Sequence, residues 1–172
     1  MVPQRMCASA HVSGSESVDF EVSCPVARPL LAILRRFITT VAEEVGFDED
    51  DVSKIEMAVD EACSNVILHA YEEGDQSSES AVAEDAKLFL KLDLSADALT
   101  IHIQDRGRGH PANQLAGATS IEDYQRDGRE DYHGLGLLIM KKFMDDVQIR
   151  ACPESGTTVI LRKYLKNAAN AC

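Results

Sequence analysis

Two short stretches carry side chains able to do chemistry together. Glu61-Ala-Cys-Ser-Asn65 puts a carboxylate and an amide one helical turn apart, on one helix face. An amide oxygen is a hard ligand that suits Mg²⁺, which keeps most of its waters while it bridges phosphates. A carboxylate one turn away can take, or orient, the proton of an attacking hydroxyl. On spacing alone, two ordinary surface polars are the commoner explanation. The second stretch is a pair of glycine clusters, Asp105-Arg-Gly107-Arg-Gly109 and Gly134-Leu135-Gly136. Asp105, an acceptor, matches an exocyclic amine such as that of adenine. Glycines after it let a flat ring approach the backbone, because no Cβ intrudes. A plain Asp-Arg-Gly hairpin turn is the simpler alternative. Gly134 and Gly136 open a helix whose exposed N–H groups and dipole favour phosphate, although a glycine hinge reads the same way. Gly156-Thr157-Thr158 begins the last strand. A threonine hydroxyl there could reach a base through water, or could express only β-propensity.

Other chemistries fit poorly. No G-x-x-x-x-G-K-[ST] is present, so this is not a P-loop, and a dinucleotide fingerprint lacks its third glycine. The five histidines show no metal-ligand spacing. Five cysteines without a CxxC pair speak against a disulfide framework or a zinc site and for reduced thiols. Cys63, on the helix of interest, is expected to pack rather than act as a nucleophile. Asp48-Glu-Asp-Asp51 lacks the glycine and terminal glutamate of an EF-hand loop, and Asp48 fits a helix cap instead.

The elements around these residues can be read from periodicity. Residues 1–17 are small and polar and are expected to form a loose tail, followed by one domain over 18–165 and a short tail at 166–172. Val18–Val22 alternates as a strand. Leu30, Leu31, Leu34, Phe37, Ile38 and Val41 mark a helix that Gly46 stops. Val52, Ile55, Val59, Ala62, Val66 and Ala70 form the core stripe of a second helix, which carries Glu61 and Asn65 beside that stripe. Strands are expected around 87–94 and 98–104, with a turn at Ser95-Ala-Asp97. Residues 106–133 are polar and poorly periodic, as in a functional lid. A helix over 134–145 and strands at 146–152 and 157–164 complete the chain. The order β-α-α-β-β-lid-α-β-β predicts an α/β two-layer sandwich, a mixed or mostly antiparallel sheet with helices on one face.

At 172 residues the chain suffices for one domain, and its net charge of −12 disfavours free nucleic acid and anionic membranes as partners. No 18-residue apolar run spans a membrane and the first ten residues do not read as a signal peptide, so a cytoplasmic location is expected.

The order of the pieces is more specific than any one of them. Glu61-x-x-x-Asn65, Asp105-x-Gly107-x-Gly109, a lid, Gly134-x-Gly136 and Gly156-Thr157 resemble the four boxes of the GHKL (Bergerat-fold) ATPases. Ala58-Val-Asp-Glu-Ala-Cys-Ser-Asn-Val-Ile-Leu-His-Ala-Tyr71 and Gly134-Leu-Gly-Leu-Leu-Ile-Met-Lys-Lys-Phe-Met-Asp-Asp-Val147 resemble the bacterial anti-sigma factor serine/threonine kinases within that superfamily. The resemblance spans roughly residues 18–165. It implies Mg-ATP as cofactor, with Asn65 at the Mg²⁺, Glu61 as general base, and Asp105 at the adenine amine with Gly107 and Gly109 beneath the ring. It places Gly134, Leu135 and Gly136 at the phosphates and Thr157 on the adenine side. It further implies a kinase that phosphorylates a serine on a STAS-domain antagonist, holds a sigma factor inactive, and forms a homodimer. A partner-binding switch gated by ATP and ADP, with little transfer, is the alternative. A histidine-kinase lobe is disfavoured, because a 17-residue tail leaves no room for a phosphoacceptor hairpin. Two departures stand out: Arg108-Gly109-His110-Pro111 lacks the apolar residue often found after this glycine box, and the lid's basic residues are Arg126 and Arg129.

Overall fold

A computed structural model describes residues 18–70, 87–106, 135–152 and 156–166. The elements run β1 (Val18–Pro25), α1 (Arg28–Val45), α2 (Glu49–Ala70), β2 (Lys87–Leu94), β3 (Ala98–Asp105), α3 (Leu135–Phe143), β4 (Asp146–Cys152) and β5 (Gly156–Tyr164). The expected order therefore holds for every described element. The lid expected over 106–133 lies outside the described residues except for Arg106.

The described strands form one sheet in the order β1-β2-β3-β5-β4, and every pairing is antiparallel. This settles the mixed-or-antiparallel expectation. Alternation fixes the register. Leu88, Leu90 and Leu92 of β2 are buried while Phe89, Lys91 and Asp93 are half-buried on the other face. A slip of one residue would bury those charges, so the register is strongly specified. Ile101, Ile103, Val159 and Leu161 continue the buried face, and Leu34, Ile38, Ile55, Ala58, Val59, Ala62 and Met140 cover it from the helices.

Local chemistry ends the helices where the sequence indicates. Gly46 takes the left-handed conformation (φ 107°), and its N–H donates to Ala42 O at 3.2 Å and Glu43 O at 3.1 Å, closing α1. Asp48 caps α2 by accepting the Asp51 N–H at 2.8 Å. That backbone bond, ahead of the Lys166 contacts, holds the Asp48 carboxyl below its usual range.

α2 lies between α1 and α3 and packs on β3 and β5. The far end of α3 is tied to the start of α2. Lys163 of β5 is buried, donates to Phe143 O at 2.9 Å and Asp145 Oδ1 at 3.2 Å, and stands 3.7 Å from Asp51 Oδ1. Asp51 is itself buried and lies 2.8 Å from Lys166 Nζ. A buried carboxylate needs such partners, since removing its neutralising charge is strongly unfavourable. With Phe143 held at the start of α2, α3 runs back along α2 and brings its first turn to the later half of α2.

Candidate functional site

The geometry of the site follows from that antiparallel run. Ala58, Val59, Ala62 and Cys63 of α2 are buried, so Glu61 and Asn65 fall on the flank of the helix and are half-buried. Gly136, in the first turn of α3, is buried directly against them. A Cβ built on Gly136 would stand 2.6 Å from Glu61 Oε2 and 3.6 Å from Asn65 Nδ2. Only a residue without a side chain lets the start of α3 seat on the carboxylate and amide without displacing them. The E-x-x-x-N pair is therefore no arbitrary pair of surface polars: it faces a helix N-terminus, the element that binds anions. Leu135, the first residue of α3, is half-buried beside this seat.

Electrostatics poise the carboxylate. Burial first, and the charge of Asp60 second, push the Glu61 carboxyl above its ordinary value of 4.5. A base raised towards neutral pH transfers protons more effectively there than an ordinary carboxylate.

A second cluster forms where β3 ends beside the start of β5. Asp105 is the last residue of β3 and is buried, 2% exposed. Gly156 opens β5 with φ +85°, and a Cβ there would lie 2.1 Å from Asp105 O and 2.8 Å from Arg106 Cα. Both demands, the left-handed backbone and the close approach, require glycine. Gly156 thus fixes the strand end that presents Asp105. Thr157 follows it and is half-buried.

The structure thus brings Glu61, Asn65 and Gly136 together in one group, and places Asp105 and Thr157 at the Gly156 junction. Gly107, Gly109 and Gly134 lie outside the described residues. Three relationships are not legible in the sequence. Gly156 matters as much for the Asp105 carbonyl as Thr157 does for any ligand, and the signal was a glycine between a turn and a strand. Arg106 stacks over the Phe89 ring at 4.4 Å from its centroid. Arg35 of α1 pairs with Asp60 of α2. Contacts between residues so distant in the chain leave no local pattern to find.

Cys63 is buried, and burial pushes its thiol up to about 12. A thiol held protonated is no nucleophile, in keeping with a packing role.

A helix N-terminus on a carboxylate–amide pair, with a buried acid at a strand end, is the arrangement expected of a nucleotide-handling domain without a P-loop. Comparison with known proteins gives the class its name. The pattern of the histidine kinase-like ATPase domain family matches residues 26–163. Serine-protein kinase RsbW of Bacillus cereus (strain Q1) is 32% identical over 147 residues, which is 85% of this chain and 84% of that protein. The proteins of the same name from Bacillus thuringiensis subsp. konkukian (strain 97-27) and Bacillus anthracis (strain CDC 684 / NRRL 3495) are 32% and 31% identical over the same length. The crystal structure of the RsbU and RsbW domains of a Mycobacterium tuberculosis protein superposes with a TM-score of 0.55 at 14% identity, covering 85% of this chain and 32% of that longer one, and shows the shared fold. The chain belongs to the histidine kinase-like ATPase family, in the branch of the RsbW serine-protein kinases.

Proposed function

We infer that this chain is an ATP-dependent protein serine kinase and anti-sigma factor. In this reading it phosphorylates a STAS-domain antagonist and holds a sigma factor inactive, as a cytoplasmic homodimer that binds neither nucleic acid nor membrane. Among the described residues no helix is long and apolar enough to cross a membrane. The observation that carries the reading is the seat of Gly136 on Glu61 and Asn65. It supports a phosphate site formed by a helix start, with a base and a metal-binding amide already beside it.

The residues fit Mg-ATP. Gly136 packs against the Glu61 carboxylate and the Asn65 side-chain amide, and both groups carry a hard oxygen donor of the kind that suits Mg²⁺. Asn65 would hold Mg²⁺, which when bound supplies charge neutralisation to the phosphates. Gly134, Leu135 and Gly136 would receive the phosphate chain at the N-terminus of α3. Asp105 would accept from the adenine amine, Gly107 and Gly109 would lie beneath the ring, and Thr157 would serve the adenine side.

The transfer step needs little covalent chemistry from the protein. Glu61 accepts the proton of the substrate serine as its oxygen bonds to the γ-phosphorus. The bond from that phosphorus to the β–γ bridging oxygen breaks, and ADP leaves with the electron pair. Burial around Glu61 favours this, because the base gains its proton at the moment negative charge gathers nearby.

Incubation with γ-labelled Mg-ATP and candidate STAS-domain proteins tests the reading. It expects acid-stable phosphoserine on the separate protein. Acid-labile label on this chain would move the assignment to histidine-kinase chemistry. ATP binding with nucleotide-dependent partner affinity but no transfer would leave a gated switch in its place.

A further inference from the structure

α2 presents two consecutive carboxylates to two different helices. Glu61 faces the start of α3, where Gly136 meets it. Asp60 faces α1, where Arg35 Nη1 pairs with its Oδ1. The same guanidinium reaches Glu56, one turn earlier on α2, with Nε 3.4 Å from Oε1. Arg35 thus spans two acids on the outer side of α2 while the base occupies the inner side. The pair is partly exposed, with side chains 34% and 55% exposed for Arg35 and Asp60, while Arg35 Nε is buried. Exposed ion pairs of this kind add little to folding. The position of this one, adjacent to the base, gives it a different use.

We propose that Arg35 is a positioning residue for phosphoryl transfer: it holds Asp60 to the α1 side of α2 and offsets part of its charge, so that Glu61 is the carboxylate left to meet the substrate hydroxyl and the γ-phosphate. The inference rests on Glu61 being the base. Without Arg35, Asp60 is an uncompensated anion next to a site that must gather a triphosphate and an ionised base. A further anion beside the base opposes the transition state, where negative charge is concentrated, more than it opposes binding of the distant adenine ring. The cost therefore falls on kcat and spares KM for ATP.

The test compares Arg35→Met, Asp60→Asn, the double variant Arg35→Met/Asp60→Asn and Arg35→Lys, using the full chain, Mg-ATP and a phosphorylatable STAS-domain protein. Arg35→Met should lower kcat by about three- to tenfold with KM for ATP within about twofold of wild type. Arg35→Lys keeps the charge and should recover most of the loss. The double variant should return to near wild-type kcat, because the anion that Arg35 offsets is gone. Asp60→Asn alone should transfer at or above the wild-type rate, and this keeps the proposal exposed even if Arg35→Met does not fold. A double variant as slow as Arg35→Met would mean that Arg35 serves as a brace or a partner contact, and would overturn the proposal. So would a several-fold loss of kcat in Asp60→Asn. A wild type that transfers no phosphate brings down the functional reading and this inference with it. A wild type that transfers, without rescue in the double variant, brings down this inference alone.

Discussion

Gly136 and Glu61, on separate helices and far apart in sequence, are in such close approach that a Cβ at Gly136 would stand 2.6 Å from Glu61 Oε2. The contact ties the start of α3 to the middle of α2. It joins a structural demand for glycine to the carboxylate proposed as the base. The atom in the way is the end of a flexible side chain, so Gly136→Ala should shift Glu61 rather than unfold the protein. We expect a folded variant, with Tm within a few degrees of wild type, that loses most phosphoryl transfer. Thermal unfolding and a transfer assay run side by side check this. Wild-type transfer by Gly136→Ala would show that the seat is not functional.

Gly156 differs, because what it meets is backbone. A Cβ at 2.1 Å from Asp105 O, combined with φ +85°, cannot be relieved by a rotamer change. The left-handed conformation alone costs roughly 1–2 kcal/mol for a residue with a Cβ, and the clash adds to it. Gly156→Ala should therefore lower Tm clearly, in contrast to Gly136→Ala, and weaken nucleotide binding by displacing Asp105. Equal Tm values for the two variants would refute the distinction drawn between a side-chain and a backbone clash.

Asp105→Asn tests the adenine end directly. Loss of a charge-assisted hydrogen bond costs roughly 1.5–3 kcal/mol, on the order of ten- to a hundredfold in affinity. Calorimetry should show this loss for ATP and ADP alike, since both carry the same base. An unchanged affinity would remove Asp105 from the site.

The raised Glu61 carboxyl has consequences for both stability and rate. Folding raises its proton affinity, so the protonated form is favoured in the native state. The stability this gives is present below the ordinary carboxylate range and is lost as pH rises through the native value. Ionised Glu61 therefore costs stability at neutral pH. Glu61→Gln should raise Tm near pH 7 relative to wild type, with the difference vanishing below pH 4.5. The acid limb of the wild-type rate should sit above 4.5 for the same reason. A Glu61→Gln variant no more stable than wild type at pH 7 would contradict this.

Much of the fold was legible because period and punctuation agreed. Gly46 and Asp48 stop one helix and start the next through local chemistry, and both behave as their types require. The β2 alternation fixes which face of the sheet is buried. Glu61 and Asn65 could be chosen because their order relative to the glycine clusters is specific, although their spacing is not. What the sequence hid were contacts between distant segments. Lys163 reads as one more charge in a terminal strand, yet it is buried and links β5, the end of α3 and the start of α2. Arg35 reads as the polar side of an amphipathic helix, and only packing of α1 on α2 brings it to Asp60. Gly156 stands out in the sequence only beside Thr157, because its own task, clearing the Asp105 carbonyl, appears only once β3 and β5 pair.

The most direct test of the central claim measures Mg-ATP binding and phosphoryl transfer for wild type and Glu61→Gln together, with a STAS-domain substrate. The two side chains are nearly isosteric, so the seat of Gly136 and the Asn65 amide persist while the proposed base is lost. The account predicts ATP affinity close to wild type and transfer to serine reduced by two orders of magnitude or more, within the ~10²–10⁴-fold range of general-base catalysis. Transfer by Glu61→Gln at the wild-type rate would contradict it.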